Sequence, residues 1–253
     1  MSSKDSSADS KAPAQGAAAD DPRLTALFNR IEEEFRATEL GDDKWYILAL
    51  ACVATGPDPE LAGHLYRHLC AQPAYTTSEA RKALVRRLRE VLVKSISVIG
   101  VCKPIEAVVA IAREERPEDR DFSSTREGWQ AGPENRARAD AWFRKVYTRN
   151  ADDAVGLFDA HKDFAWLSME ITYGFYLSDR QVLGDVETQL VVLSAIMSQN
   201  MPLETHWHIR GTRRIGVSRH DTEVLYRCIG LAADHFGVSL HKVPTVEQVE
   251  PDV

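Results

Sequence analysis

The pattern that constrains this chain most occurs twice: an apolar run, then a Glu and a His four residues apart, then a helix opening Glu-Val-Leu. In the second half the stretch VETQLVVLSAIMSQNMPLETHWHIRGTRRIGVSRHDTEVLYRCIGLAADHFG carries Glu204, His208 and Glu223-Val-Leu-Tyr-Arg-Cys-Ile229. In the first half DDKWYILALACVATG precedes Glu60 and His64, and Glu90-Val-Leu-Val-Lys-Ser-Ile96 follows after a longer spacer. Side chains four apart share one face of a helix. Duplicated helical units stack to bury a common core, so the pattern predicts an all-helical fold built from a repeated unit.

A carboxylate one turn before an imidazole stabilises the imidazolium and raises its pKa, which keeps the ring usable for proton transfer near neutral pH. His208 is therefore the candidate acid/base and Glu204 the group that orients it. The plainer alternative is a solvated helix face. Glu60 and His64, with His68 a turn further on, form the first-repeat equivalent: a relic or a second site. His206 falls on the far side of a regular helix from His208 and joins the site only if the segment is irregular, as Pro202 permits. Trp207 is expected to pack or to wall a pocket. The His spacing differs from H-E-x-x-H and no third-ligand motif follows, so no metal is expected.

The second half resembles the carboxymuconolactone decarboxylase family, whose fold is shared with the alkyl hydroperoxidase D proteins. The matching residues are the apolar helix Gln189-Leu-Val-Val-Leu-Ser194, then His208-Ile-Arg-Gly-Thr-Arg-Arg-Ile-Gly216, Ser218 and Glu223-Val-Leu225. A Tyr-Gly segment at Tyr173-Gly174 extends the likeness upstream, towards two-repeat fungal members. The peroxidase branch carries a C-x-x-C pair where this chain has Met201 and Glu204, and a Glu on the preceding helix where it has Gln189. Thiol peroxidase chemistry is thus not expected. The decarboxylase branch implies a cofactor-independent lyase or isomerase: a lactone carboxylate loses carbon dioxide and the enolate is protonated. Arg210 or Arg213 would then hold the substrate anion, and a homo-oligomer, dimer or trimer, is expected. The family's fungal members imply a place in secondary metabolism. The alternative is a non-catalytic small-molecule binder or scaffold that keeps the fold.

The remaining sequence sets boundaries. Residues 1–21 are Ser-, Ala- and Asp-rich, a composition that does not repay the entropy of ordering, and are expected to be a disordered tail. Residues 22–112 form the first, divergent repeat, 113–136 a charged inter-repeat loop, and 137–253 the second repeat. Within that loop Phe122 and Trp129 could form a lid, but an exposed loop is the expectation. The net charge of -7 disfavours a phosphate-backbone partner, so no nucleic acid is expected. The basic row from Arg81 to Arg89 alternates with leucines and reads as the solvated face of an amphipathic helix. No apolar run is long enough to span a membrane. Four widely spaced cysteines make no redox motif, and Glu-Pro-Asp-Val is no peroxisomal S-K-L-type address, so a reduced, cytoplasmic location is expected.

Overall fold

The computed structural model describes residues 21–253, so residues 1–20 of the expected tail lie outside the described residues. Among the described residues every regular element is helical and no strand occurs. Asp21 caps α1 (Pro22–Phe35), its carboxylate accepting from the Arg23 N–H at 2.9 Å, and Pro22 takes the first helical position where its missing N–H is harmless. The periodic apolar residues Leu24, Leu27, Phe28, Ile31 and Phe35 all face inward. The helix stops at Phe35, ahead of the Leu40-Gly41 pair where the sequence pattern alone would end it.

Two helices form the centre: α2 (Trp45–Thr55) and α9 (Asp185–Met197), the apolar runs of the two halves. All residues of α2 are buried, as are Glu187 to Met197 of α9. A helix apolar on every side is stable only where other helices surround it. α2 packs on α9. The long α4 (Ser78–Ile99) lies against both, and α11 (Arg219–His235) packs on α2, with α1 against both α11 and α2. In each half an apolar helix, a His-bearing helix and an E-V-L helix follow in the same order: α2, α3 (Ala62–Cys70), α4, then α9, α10 (Pro202–Arg214), α11. One apolar core draws residues from Leu24 through to Val249. The two halves are therefore joined by a shared interior.

Gly100, at φ +80°, ends α4 where the sequence places the stop, and α5 (Cys102–Glu114) begins two residues ahead of Pro104. The inter-repeat segment departs from a free loop. Asp119 is fully buried against Arg81, and Asp121 pairs with both Arg86 (2.5 Å) and Arg89 (2.9 Å). The basic row on α4 is thus an anchor for this segment and for the start of α9, where Arg87 meets Glu187 at 2.6 Å. The expected solvated face is corrected accordingly: hydropathy shows that these side chains leave the core, but not what folds back over them. Phe122 is 90% exposed and covers nothing, which removes it as a lid.

The residue pattern from Asp153 to Tyr176 reads as one helix with Phe158, Phe164, Trp166 and Phe175 in the core, and the structure divides it. It forms α7 (Ala151–Gly156), α8 (Lys162–Trp166) and a π-helical stretch, Leu167–Tyr176. Phe164 and Trp166 are exposed, while Phe158 and Phe175 are only half-buried. A second apolar cluster is built instead from Trp142, Phe143, Val146 and Tyr147 of α6 (Pro133–Tyr147) with Met169 and Tyr173. A turn at residues 157–160 breaks the helix first and the wide π turns after Trp166 reset its phase again, so residues counted at 3.6 per turn lose their face. Cys52 and Cys228 are buried and burial pushes both thiols up to about 12, which makes them inert. Cys102 is exposed.

Candidate functional site

The site centres on α10, which Pro202 starts and which lies between α9 and α6. Gly211 sets that approach: a Cβ there would stand 2.5 Å from Val146 Cγ1, so only glycine lets α10 come this close to α6. The packing carries His208 inward to 5% exposure. There its Nδ1 lies 3.1 Å from Gln189 Nε2, and the same amide nitrogen donates to the His208 carbonyl at 2.9 Å. A carbonyl can only accept, so the orientation of the Gln189 amide is fixed, and its second hydrogen points at Nδ1. Nδ1 must then be the accepting nitrogen. His208 is held as the tautomer with its proton on Nε2.

Burial, the sole cause acting on this ring, lowers the His208 pKa to about 4. The expectation that Glu204 raises it is corrected. Glu204 stands exposed in the first turn of α10 and makes no hydrogen bond or ion pair with a described residue. One turn deeper, the imidazole has already passed beneath the surface, so shared phase on the helix does not bring the two groups to the same depth. The neutral ring is a hydrogen-bond donor at pH 7.

The sign of the linkage follows. The unfolded His208 binds a proton near 6.5 and the folded one near 4, so the unfolded state holds more protons between these values. His208 favours the fold fully above pH 6.5, and this contribution falls by about 3 kcal/mol as the pH drops through that window. Urea unfolding from pH 4.5 to 7.5 should show the slope. His208→Asn, whose Oδ1 replaces the accepting Nδ1, should flatten it to the residue left by His68, whose pKa burial also lowers. An unchanged slope in the variant would remove His208 as its source.

Aromatic rings surround the imidazole. Tyr147 lies 6.3 Å from the His208 ring and 6.0 Å from Trp207, and Tyr173 donates its hydroxyl to the Tyr147 oxygen at 3.2 Å. Burial raises the pKa of both tyrosines, so both remain protonated. Trp207 packs as expected. Tyr147, Tyr173 and Gln189 were not among the expected site residues. Gln189 did carry a signal, because it occupies the position at which the peroxidase branch has a Glu.

The other expected residues are dispersed. His206 points away from His208 and sits 3.0 Å from the Asp252 carboxylate. Arg213 is bound through Nε and Nη2 to Glu250, both at 2.9 Å, and donates to the Val217 carbonyl, so it is not available to a substrate. That corrects its assignment as an anion ligand. Arg210 is only 8% exposed and its Nε has no partner. In the first half, Glu60 lies exposed in a short turn, whereas His64 is buried with its Nε2 2.9 Å from Thr25 Oγ1 and His68 packs between Phe28 and Trp45. The two members of this pair also sit at different depths. Among the described residues, clefts of about 190, 350 and 460 Å³ open beside Arg126, Asp152 and Trp129, and neither His208 nor Arg210 lines these. Among the described residues no group of three or more His, Cys, Asp or Glu is placed to hold a metal ion, and no helix is long and apolar enough to cross a membrane.

No family model matches the chain, and no solved structure matches it. Over 159 residues the chain is 23% identical to Peroxisomal protein 2 of Schizosaccharomyces pombe (strain 972 / ATCC 24843), an alignment covering 59% of this chain and 73% of that protein.

Proposed function

We propose that this protein binds a small carbonyl compound, a lactone or enone, beside His208. The imidazole acts as a neutral donor, through Nε2–H, to the oxygen on which negative charge develops. The observation that carries this is the tautomer lock by Gln189. A preorganised donor stabilises an enolate oxygen while its own proton stays on Nε2, the enolate carbon then taking its proton from water once carbon dioxide has left, and removing one such donor costs about a hundredfold in rate. The reading belongs to the decarboxylation and isomerisation chemistry of the carboxymuconolactone decarboxylase-like proteins, without cofactor. It is supported by the matching helix order in the two halves and by Gln189 meeting the imidazole from the position that family uses.

A second reading, a small-molecule binder without turnover, is favoured by one observation: Glu204 is exposed and the expected proton relay is absent. Kinetics separate them. With a panel of lactone and enone acids, turnover should be level from pH 5.5 to 8, because the ring is already neutral throughout, and His208→Asn should lower kcat by about a hundredfold. A bell-shaped profile centred near neutrality would refute the neutral-donor role, and saturable binding without turnover would establish the binder. The name of the fission-yeast relative favours peroxisomes over the cytoplasm for this chain too, which imaging of the tagged full chain resolves.

A further inference from the structure

The last turn of α10 gathers three arginines around one strip of backbone. Arg214 donates to the Tyr147 carbonyl at 2.6 Å, to Asn150 Oδ1 at 3.0 Å and to the Asp252 carbonyl at 2.9 Å. Arg149 donates to that same Asp252 carbonyl at 3.0 Å and to the carbonyl of Val253 at 3.3 Å. Two guanidinium groups therefore meet at one oxygen. Arg210 makes no hydrogen bond or ion pair with any described residue, yet it is 8% exposed with its Nε enclosed. A charge taken out of water without a partner is strongly unfavourable, and nature pairs such groups.

The electrostatics agree with this geometry. Burial lowers the pKa of Arg210 below the usual arginine range, with Arg149 adding to the effect. Arg214 is lowered to about 10, by burial first and then by Arg210 and Arg149. The acid whose charge bears on all this is Asp252, and its carboxylate is turned to His206 at 3.0 Å and stays half exposed. Its backbone is held across the cluster by the two arginines, and Glu250, two residues earlier, is clamped by Arg213. The one acidic side chain in the field of Arg210 and Arg214 is thus turned to another partner.

We propose that Arg149, Arg210 and Arg214 form a binding site for the oxyanion group, carboxylate or phosphate, of a small ligand, and that the Glu250–Asp252 turn is a strap the ligand displaces. The proposal rests on the reading of His208 in placing the rest of the ligand, since Tyr147 neighbours both: its ring is 6.3 Å from His208, and its phenol lies in the field of Arg210. A ligand bearing a carbonyl and an acid group would reach His208 with one end and Arg210 with the other. Guanidinium groups suit either oxyanion, because their planar donors match paired oxygens.

Calorimetric titration of the full chain at low ionic strength, with succinate in one arm and inorganic phosphate in the other, tests this. At least one arm should saturate, and the tighter arm names the source of the oxyanion. Arg210→Met should weaken that binding about tenfold or more, and should raise the melting temperature of the free protein because an unpaired buried charge is gone. Asp252→Asn removes the competing carboxylate, keeps the carbonyl, and should tighten binding several-fold. The proposal is overturned if neither probe binds wild type or Asp252→Asn, or if Arg210→Met leaves affinity unchanged. Loss of tightening in Asp252→Asn overturns the strap. His208→Asn should bind both probes as wild type does, so failure of the His208 reading alone leaves this result intact.

Discussion

Replacing Asp119 by alanine is expected to destabilise the fold by about 3–5 kcal/mol, read as a shift in the urea midpoint with unchanged cooperativity. Asp119 has no exposed surface, and its carboxylate accepts from Arg81 Nε at 2.5 Å and Nη2 at 3.1 Å. Arg81 itself is 8% exposed and rooted in α4. The truncation strands this guanidinium with only the carbonyls of Tyr75 and Thr76, at 3.0 and 2.9 Å, which carry no charge. The penalty comes from the stranded partner. Replacing both residues, Arg81→Met with Asp119→Leu, should therefore recover most of the loss, as apolar exchanges of buried pairs do. A single-variant cost below about 1 kcal/mol would show that water reaches Arg81 and that the segment after α5 is not anchored there.

Lys94→Met is expected to cost about 1–3 kcal/mol, through the loss of hydrogen bonds from a charged donor to carbonyls that keep only Arg126 or Arg180. Lys94 has no exposed surface, and its ammonium donates to the carbonyls of Asp179, Tyr176 and Leu177 at 2.8, 3.3 and 3.5 Å, where the π-helical stretch ends. A cation at a helix C-terminus satisfies carbonyls that the helix itself cannot. Glu90, 3.3 Å from Lys94, also accepts two hydrogen bonds from Arg126 at 2.6 and 2.8 Å, so it stays paired in the variant. The loss should accordingly be local. Hydrogen exchange should accelerate across residues 176–182 and spare α2 and α9. Uniform acceleration through the core, or none, would contradict the role given to Lys94.

The order of elements was largely legible in the residues. Pro22 after Asp21, Gly100 after a long apolar period, and the uninterrupted apolar runs of α2 and α9 each fix a local choice within a few residues. The break at Leu167–Tyr176 was not legible, because a π turn keeps the composition of a helix and changes only its phase. The site was legible only in part. His208 stood out by its four-residue spacing from Glu204, but its partner came from another helix, 19 residues earlier in the chain.

By itself the sequence determined that the chain is helical, where several of its helices start and stop, and that His208 was a residue to examine. Those are properties of neighbours along the chain, set by periodicity and by the residues that start and stop a turn. The tertiary structure decided how deep each polar group lies and which group meets it. Depth separates Glu204 from His208, brings Gln189 to the imidazole, and leaves Arg210 without a partner. It arises from how closely α10 approaches α9 and α6, and the energy of a charge or a proton depends on the surrounding medium far more than on the residues beside it in sequence.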